Sequence, residues 1–320
     1  MKIFLKLFFL CSLLTGAAFP EEVPPPIEPD VRHIIQIPNG GLKRFLRWHS
    51  ERIPLISHHR AGPAPGFPEN AIETMDNALK YGPGLMEVDV AELADGTLVL
   101  MHDRTLDRTT TGSGKIIDKT WAEVEKLFLE DENSIATNFR IPRLEQVLRW
   151  AKGRAILTLD IKPATDFKKI VAAVKMTKAE DYVAVIAYSL DQALMFHAMA
   201  PDMPITVTMR NQKEFEAVLA SGIPMSHIIA WTGTSALSPE FYNTLHGKGW
   251  RVIMGTLGGV NAIDKQIAAN DNDERYLDFF QSGVDVIATD RFWAVQNQIR
   301  NPNQYFFVQR KQIPMRRGQP

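Results

Sequence analysis

Acids, histidines and cations recur at the ends of apolar runs in four separate parts of the chain. The segments are His59-Arg60, Glu87-Val88-Asp89, His102-Asp103 and Asp160-Ile161-Lys162. A carboxylate cluster with two imidazoles and two cations beside it is what metal-assisted attack on a phosphodiester requires. Because the segments are far apart in sequence, the fold has to bring them together.

The carboxylates predict a metal site. Glu87 and Asp89 are two residues apart on a predicted strand, so their side chains point to the same face. Two acids there repel each other and lose hydration unless a cation lies between them, although two buried salt bridges are an equal alternative for this pair alone. With Asp160 as a third ligand, the oxygen-rich set suits Mg²⁺ or Ca²⁺ rather than zinc.

Two histidines are candidates for proton transfer. His59 ends the first predicted strand and His102 ends another, so a closed fold can place them on opposite sides of one phosphorus. One then takes a proton from the nucleophile while the other protonates the leaving oxygen. The nucleophile is either water or a neighbouring hydroxyl of the substrate. The remaining histidines receive no role: His33, His49, His58, His197, His227 and His246.

Substrate contacts are predicted from the nearby cations and one loop. Arg60 can form a two-pronged contact with a phosphate. Lys162 can offset charge in the transition state, although an ion pair with Asp160 explains it equally well. A Gly- and Pro-rich loop can bring Glu69 over the site, and Asn70 is either a helix cap or part of the site.

The elements that position these residues alternate between strand and helix. Short β-rich runs are predicted at 55–60, 85–90, 155–161, 183–189, 205–209, 227–232, 251–256 and 284–289. Helical patterns lie at 71–81, 143–152, 166–177, 190–200, 212–221, 239–246 and 274–281. This alternation predicts an α/β fold, a (β/α)8 TIM barrel. An open doubly wound sheet is disfavoured because residues 58–62 lack a Gly-rich phosphate loop.

The domain organisation follows from the same pattern. Residues 1–18 are predicted as a signal peptide, 19–52 as a tether with a short helix, 53–300 as the barrel and 301–320 as a tail. Residues 94–140 form an insertion after the second strand, on the face where barrel enzymes build their active sites.

Composition limits the class of partner. The chain has 320 residues, is 45% hydrophobic and carries a net charge of -1. This length fits one large domain. Nucleic-acid binding lacks electrostatic support, so any phosphate has to be held locally. The expected partner is a small phosphodiester substrate, and the oligomeric state is open.

The amino terminus predicts export to the periplasm or the exterior. A positively charged start precedes an apolar run at 8–14, followed by small residues and a cleavage site near Ala18. The run is short against the roughly 18 to 20 residues of a membrane span, so no anchor is expected after cleavage. Cys11 is the only cysteine, so the mature chain forms no disulfide.

Read in order, these motifs resemble the glycerophosphodiester phosphodiesterase family. The similar segments are His59-Arg60-Ala61-Gly62, Pro68-Glu69-Asn70, Glu87-Val88-Asp89-Val90, Asp95-Gly96, His102-Asp103, 106–114, Ile141-Pro142-Arg143-Leu144 and, more weakly, 283–290. The resemblance implies a divalent metal and hydrolysis of a glycerol-linked phosphodiester to glycerol phosphate and an alcohol. By position it implies His59 and His102 as acid and base, Glu87, Asp89 and Asp160 as metal ligands, Arg60 and Lys162 as phosphate contacts and Glu69 as support.

The chain departs from the family pattern at three places. Ala61 is an extra residue before the glycine, which is expected to reshape the phosphate loop. Asp160 stands where the family usually has a glutamate, and Asp followed by Lys two residues later is similar to the sphingomyelinase D branch. Residues 252–257 lack the usual Trp-Thr-Val-Asn, so the wall that receives the alcohol is expected to differ.

Two rival functions stay open at this point. A phospholipase D-type enzyme acting on lysolipids or sphingolipids needs an apolar surface beside the site, with Phe128, Leu129, Trp231 and Trp250 as candidates. A non-catalytic phosphate-binding barrel is the other rival, but a binder has no need of two proton carriers.

Overall fold

The computed structural model describes residues 23–38 and 41–300, and the backbone of 308–312. The predicted signal peptide, including Cys11, and most of the predicted tail lie outside the described residues. Among the helices described, none is both long enough and apolar enough to cross a bilayer. The domain boundaries stay predictions.

The strands and helices alternate along most of the chain. The strands are β1 (Val31–Ile35), β2 (Leu55–His58), β3 (Gly84–Glu92), β4 (Leu98–Leu100), β5 (Phe128–Glu130), β6 (Ala136–Arg140), β7 (Ile156–Ile161), β8 (Val183–Ala187), β9 (Ile205–Thr208), β10 (Ile228–Trp231), β11 (Val252–Gly255), β12 (Val286–Thr289) and β13 (Val308–Gln312). The helices are α1 (Gly41–Leu46), α2 (Ile72–Ala78), α3 (Trp121–Val124), α4 (Leu144–Ala151), α5 (Phe167–Thr177), α6 (Leu190–Met199), α7 (Gln212–Leu219), α8 (Pro239–His246), α9 (Ile263–Ala269), α10 (Arg275–Ser282) and α11 (Phe292–Ile299).

Eight parallel strands close into a barrel. Their order is β2-β12-β11-β10-β9-β8-β7-β3, and β3 pairs back to β2. This confirms the predicted TIM barrel. Strand β1 pairs antiparallel with β13 outside the barrel.

Strands β3 and β7 show how the barrel interior changes from apolar to charged along its axis. Their register aligns Leu85 with Ile156 and Asp89 with Asp160. The first pair belongs to an apolar cluster inside the barrel that α1 closes from the amino end with Leu42. Burying each such side chain stabilises the fold by roughly 1.5–3 kcal/mol. The acids lie at the other, carboxyl end, where barrel active sites form.

The predicted insertion carries its own small core. Strand β4 extends β3 as an antiparallel partner, with Val90 opposite Leu100. Strands β5 and β6 form a separate antiparallel pair. The amide of Met101 donates to the Asp89 carbonyl at 2.9 Å, which holds the next residue, His102, at the mouth of the barrel.

The structure differs from the sequence prediction in several elements. Helices α9 and α11 were not predicted, and the predicted strand 55–60 ends at His58. It ends there because Arg60 has a φ of 49°, which no strand can accommodate. The short helix predicted near residue 42 corresponds to α1.

Candidate active site

Three predicted metal ligands converge at the carboxyl end of the barrel. Glu87, Asp89 and Asp160 are buried, and each offers an oxygen within 4.8 Å of those of the other two. Neighbouring strands in register achieve this, since Asp89 lies directly beside Asp160. The convergence expected from the sequence is therefore present.

The acid cluster is short of positive charge. Burial raises the pKa of Glu87 to about 8, and the charge of Asp89 adds to the effect. Atom Oδ1 of Asp160 is buried and has no hydrogen-bond partner within the described part of the chain. Unsatisfied carboxylate oxygens of this kind fit a hard divalent cation, so these three residues could hold one.

Lys162 forms ion pairs with two of the acids. Its Nζ lies 2.5 Å from Asp89 Oδ1 and 2.6 Å from Asp160 Oδ2. The ion pair with Asp160 that the sequence offered as an alternative is present, and the phosphate contact stays a prediction. Tyr188 also donates its hydroxyl to Asp160 Oδ2 at 2.7 Å.

Asn70 orients a carboxylate and does not cap a helix. Its Nδ2 donates to Asp89 Oδ2 at 2.7 Å, and its Oδ1 accepts from the Asp89 amide at 2.9 Å. Helix α2 is preceded by Ala71 and has no side-chain cap. The paired contacts hold Asp89 from both its backbone and its side chain.

A strained turn joins the first strand to the site. Arg60, Ala61 and Gly62 have φ values of 49°, 74° and 79°. For the two residues other than glycine this conformation is costly and persists only where the surroundings enforce it. The Arg60 amide donates to Glu87 Oε2 at 2.6 Å, which is one such constraint. The extra residue, Ala61, thus lies within the turn.

His59 is held by a carboxylate at its Nδ1 atom. Its Nδ1 lies 2.6 Å from Asp290 Oδ1. Burial opposes protonation, but the hydrogen bond to Asp290 and the charge of Glu87 outweigh it and raise the pKa of His59. The backbone amide of Asp290 donates to Asp264 at 2.8 Å, which anchors this carboxylate at the end of β12.

The neighbouring His58 is the opposite case. It is fully buried, and burial lowers its pKa to about 3. Its ring packs edge-on against Phe292 at 5.1 Å. It is a neutral core residue, as the sequence analysis assumed.

His102 is held between a carboxylate and a guanidinium. Its Nδ1 lies 2.7 Å from Asp103 Oδ1, and its Nε2 lies 2.9 Å from Arg60 Nη2. Because a guanidinium only donates, the Nε2 atom is the acceptor and the proton resides on Nδ1. Both histidines are thus held at Nδ1 by an aspartate, while Nε2 of His102 also accepts from Arg60.

Glu69 links the cations behind the second histidine. It is 7% exposed and accepts from Arg60 at 2.9 Å and from two nitrogens of Arg108, each also at 2.9 Å. Burial opposes its ionisation, but the hydrogen bonds and charges of Arg108 and Arg60 outweigh that effect and lower the pKa of Glu69. Arg108 also donates to Asp103 at 2.7 Å, which ties the support of His102 to Glu69.

The site opens into a cavity of about 230 Å³. One side is polar, formed by His59, His102, Glu87, Asp89, Asp160 and Lys162. The other side is largely apolar, formed by Ile186, Trp231, Ile253 and Leu257. Two predicted contacts, Arg60 and Glu69, are not among the lining residues and reach the site through His102.

Sequence reasoning missed three side chains that support this site. Asp290 belongs to the weak motif at 283–290, where an acid after the last strand was the available signal. Arg108 lies within the segment 106–114 that is similar to the family, but its position relative to the other site residues follows no pattern that indicates a role. Tyr188 follows β8, and a tyrosine after a strand is too common to indicate a site.

Comparison with known proteins finds a matching family and similar folds. The model of the glycerophosphoryl diester phosphodiesterase family matches residues 59–292. A crystal structure of a glycerophosphoryl diester phosphodiesterase from Parabacteroides distasonis is similar, with a TM-score of 0.81 and 32% identity, over 88% of this chain and 100% of that one. An Oleispira antarctica phosphodiesterase shares the fold, with a TM-score of 0.59 and 19% identity, over 77% of this chain and 97% of that one.

The curated relatives match over shorter stretches. Mouse glycerophosphodiester phosphodiesterase 1 is 35% identical over 120 residues, which is 36% of each chain. The chain thus spans little more than a third of that relative's length. The family model and the Parabacteroides structure nevertheless cover most of the barrel, and the chain belongs to the glycerophosphoryl diester phosphodiesterase family.

Proposed function

We propose that this protein hydrolyses glycerophosphodiesters to glycerol phosphate and an alcohol. The observation that carries the proposal is one cavity lined by a carboxylate triad and by two imidazoles, each held at Nδ1 by an aspartate. Hydrolysis of a phosphodiester needs one group to accept a proton and another to donate one.

Proton transfer is assigned from the partners of each histidine. His59, with its raised pKa, donates its proton to the oxygen of the leaving alcohol. His102 accepts the proton of the nucleophile at Nε2 once the substrate has displaced the contact from Arg60. Asp290 and Asp103 fix the two rings through their Nδ1 atoms, and the assignment holds for water or for a substrate hydroxyl as the nucleophile.

The charge of the phosphate is offset by this chain's cations and by a metal. Glu87, Asp89 and Asp160 would hold one Mg²⁺ or Ca²⁺, which when bound supplies Lewis-acid stabilisation of the phosphate and of the nucleophile. Lys162 lies between two of these acids, where its ammonium can turn toward a phosphate oxygen. Released from His102, the guanidinium of Arg60 can do the same.

A protein of the same fold supports the proposal that one half of the substrate is glycerol phosphate. The Oleispira phosphodiesterase was crystallised with its product sn-glycerol-3-phosphate. The polar side of the cavity in this chain suits such a product.

The experiment is an assay of the purified protein over a panel of glycerophosphodiesters. Activity should disappear with a chelator and return with Mg²⁺ or Ca²⁺. Turnover that persists in the chelator would contradict the proposed metal dependence of hydrolysis. Tight phosphodiester binding with no metal-dependent turnover would contradict hydrolysis and favour a binding protein.

A second candidate is a phospholipase D-type enzyme acting on lysolipids. The apolar side of the cavity favours it, and Trp231 is the one sequence candidate that lines that side. Leu129 and Trp250 are buried core residues, and Phe128 packs against Arg140. Comparing hydrolysis of glycerophosphocholine with that of lysophosphatidylcholine distinguishes the two functions.

Export is part of the proposal and rests on the sequence of residues 1–18. Its test is fractionation of cells that express the chain with a carboxyl-terminal tag. The tag should appear outside the cytoplasm on a chain shortened near Ala18. A full-length cytoplasmic product would contradict it.

A further inference from the structure

A second cavity lies at the opposite end of the barrel from the candidate active site. Its volume is about 510 Å³. It is lined by residues that immediately precede β2 and β11, by α1 and by the segment that follows α1. The lining includes Arg44, Arg47, Arg52, Arg251 and Trp48. The sequence analysis assigned no role to any of these residues as a ligand-binding group.

Arg251 is buried in the wall of this cavity without enough acceptors. It is 2% exposed, and its Nε and Nη1 atoms have no hydrogen-bond partner among the residues described. Its guanidinium lies over the ring of Phe45 at 5.2 Å, a contact that supplies no oxygen. Burial lowers the pKa of Arg251 to about 10, which still leaves it charged near neutral pH. A buried charge in this state is costly unless an acceptor reaches it.

Trp48 brings a second unsatisfied donor to the same cavity. Its Nε1 is buried and also lacks a partner in the part of the chain that is described. Its ring stacks on His246 at 4.5 Å, which fixes the direction of the indole N–H. An indole nitrogen donates and never accepts. Two rigidly held side chains from different segments therefore need the same kind of partner.

The nearest carboxylate cannot supply that partner. Asp285 is ion-paired through Oδ1 with Nε of Arg52. Its Oδ2 accepts from the Val252 amide at 2.7 Å and lies 3.0 Å from His246 Nε2. Both oxygens are already engaged. His49, also in the lining, has its pKa lowered by burial and by Arg251, so it adds no acceptor charge.

We infer that this cavity is a binding site for a phosphate group, either free or as a small monoester. A phosphate offers several acceptor oxygens and negative charge at the pH where Arg251 and Trp48 present only donors. Arg47 is exposed at the rim and can reach an anion as it enters. A volume of about 510 Å³ holds a phosphate with a small organic group attached. The inference does not depend on the proposed hydrolysis.

The test uses the indole N–H resonances of the full chain in a chelating buffer. Trp48 reports on this cavity and is assigned by loss of its signal in Trp48→Phe. Trp231 reports on the candidate active site and is assigned in the same way. Inorganic phosphate and glycerol 2-phosphate are titrated separately, so that binding of the free ion and of the monoester can be compared.

The Trp48 resonance should shift and saturate with at least one of the two probes. In Arg47→Ala the apparent affinity should fall about tenfold or more, since a charge-assisted contact is lost. The matched control is Arg149→Ala, which removes one exposed arginine from α4 on another face and should leave the titration unchanged. Arg251→Met should abolish the shift.

Three outcomes would overturn the inference. The first is a Trp48 resonance that stays fixed while that of Trp231 moves. The second is a shift that does not saturate. The third is equal weakening in Arg47→Ala and Arg149→Ala, which indicates general screening of charge. If Arg251→Met does not fold, the comparison of Arg47→Ala with Arg149→Ala still tests whether the cavity binds phosphate.

Discussion

The two ends of the barrel differ in the kind of polar atom that lacks a partner. At the carboxyl end the deficit is of positive charge, because Asp160 has an oxygen with no partner among the described residues and Glu87 resists ionisation. At the amino end the deficit is of acceptors, because Arg251 and Trp48 present N–H groups that no described residue accepts from. Buried polar groups are seldom left unpaired without a reason. The kind of partner that is missing therefore indicates the ligand: a cation at the carboxyl end and an anion at the amino end.

The two ends also differ in how much the protein itself compensates. Around the acids, Lys162, Asn70 and the Arg60 amide contact four of the six carboxylate oxygens. Around Arg251, both oxygens of the neighbouring carboxylate of Asp285 are engaged by other groups. Ligand binding at the carboxyl end therefore requires Lys162 and Arg60 to exchange partners, while the amino-end site carries a larger desolvation penalty when it is empty.

The largest expected effect is the loss of catalytic turnover when His59, at the carboxyl end of the barrel, is replaced. His59→Ala should lower kcat by about 10² to 10⁴ if the ring transfers a proton. Metal binding, followed by calorimetry, should be nearly unchanged. Arg47→Ala, at the other end, should keep wild-type kcat. Full activity in His59→Ala would remove the proton role.

A second prediction concerns stability of the metal-free protein. Glu87 has an ordinary pKa of 4.5 and a folded pKa of about 8, so its neutral form favours folding. That contribution is complete below pH 4.5 and is lost as the pH rises through about 8. Glu87→Gln should remove this loss, seen as a flatter curve of unfolding free energy against pH in chelating buffer. Identical curves of unfolding free energy against pH for the two proteins would show that ionisation of Glu87 does not destabilise the metal-free fold.

A third prediction tests how Asp290 affects the pKa of His59. Asp290→Asn should lower the pKa of His59, because the hydrogen bond and charge that raise it are weakened. As a proton donor, His59 loses activity when the pH rises through its pKa, so the alkaline limb of kcat/KM should move to lower pH. We expect kcat to fall by up to about 10²-fold through misplacement of the ring. An unshifted limb would assign the donor elsewhere.

The smallest effect is expected at the amino end. Arg251→Met should leave the unfolding free energy roughly unchanged or slightly raised in phosphate-free buffer, since replacing a buried charge by an apolar side chain of similar volume is often neutral or stabilising. Urea denaturation measures it. A marked loss of stability would mean that the guanidinium is already well paired.

The sequence predicted the barrel and the acid cluster because both depend on short-range rules. Alternation along a strand places Glu87 and Asp89 on one face, and adjacent parallel strands then bring Asp160 beside them. Asp290 and Arg108 were missed because they act through contacts across the barrel mouth, between segments with no shared pattern. The positive φ of Arg60 could not be foreseen either, since it is imposed by the surrounding fold.

The register of β3 against β7 limits how this site can change. Leu85, Glu87 and Asp89 face inward together, while Val88 packs outward against the helices. A shift of one residue would turn the acids into that apolar layer, so pairing errors are excluded by the same side chains that serve the chemistry. Adaptation to an ion of another radius is then confined to the reach of each acid, by exchange of aspartate and glutamate at fixed positions.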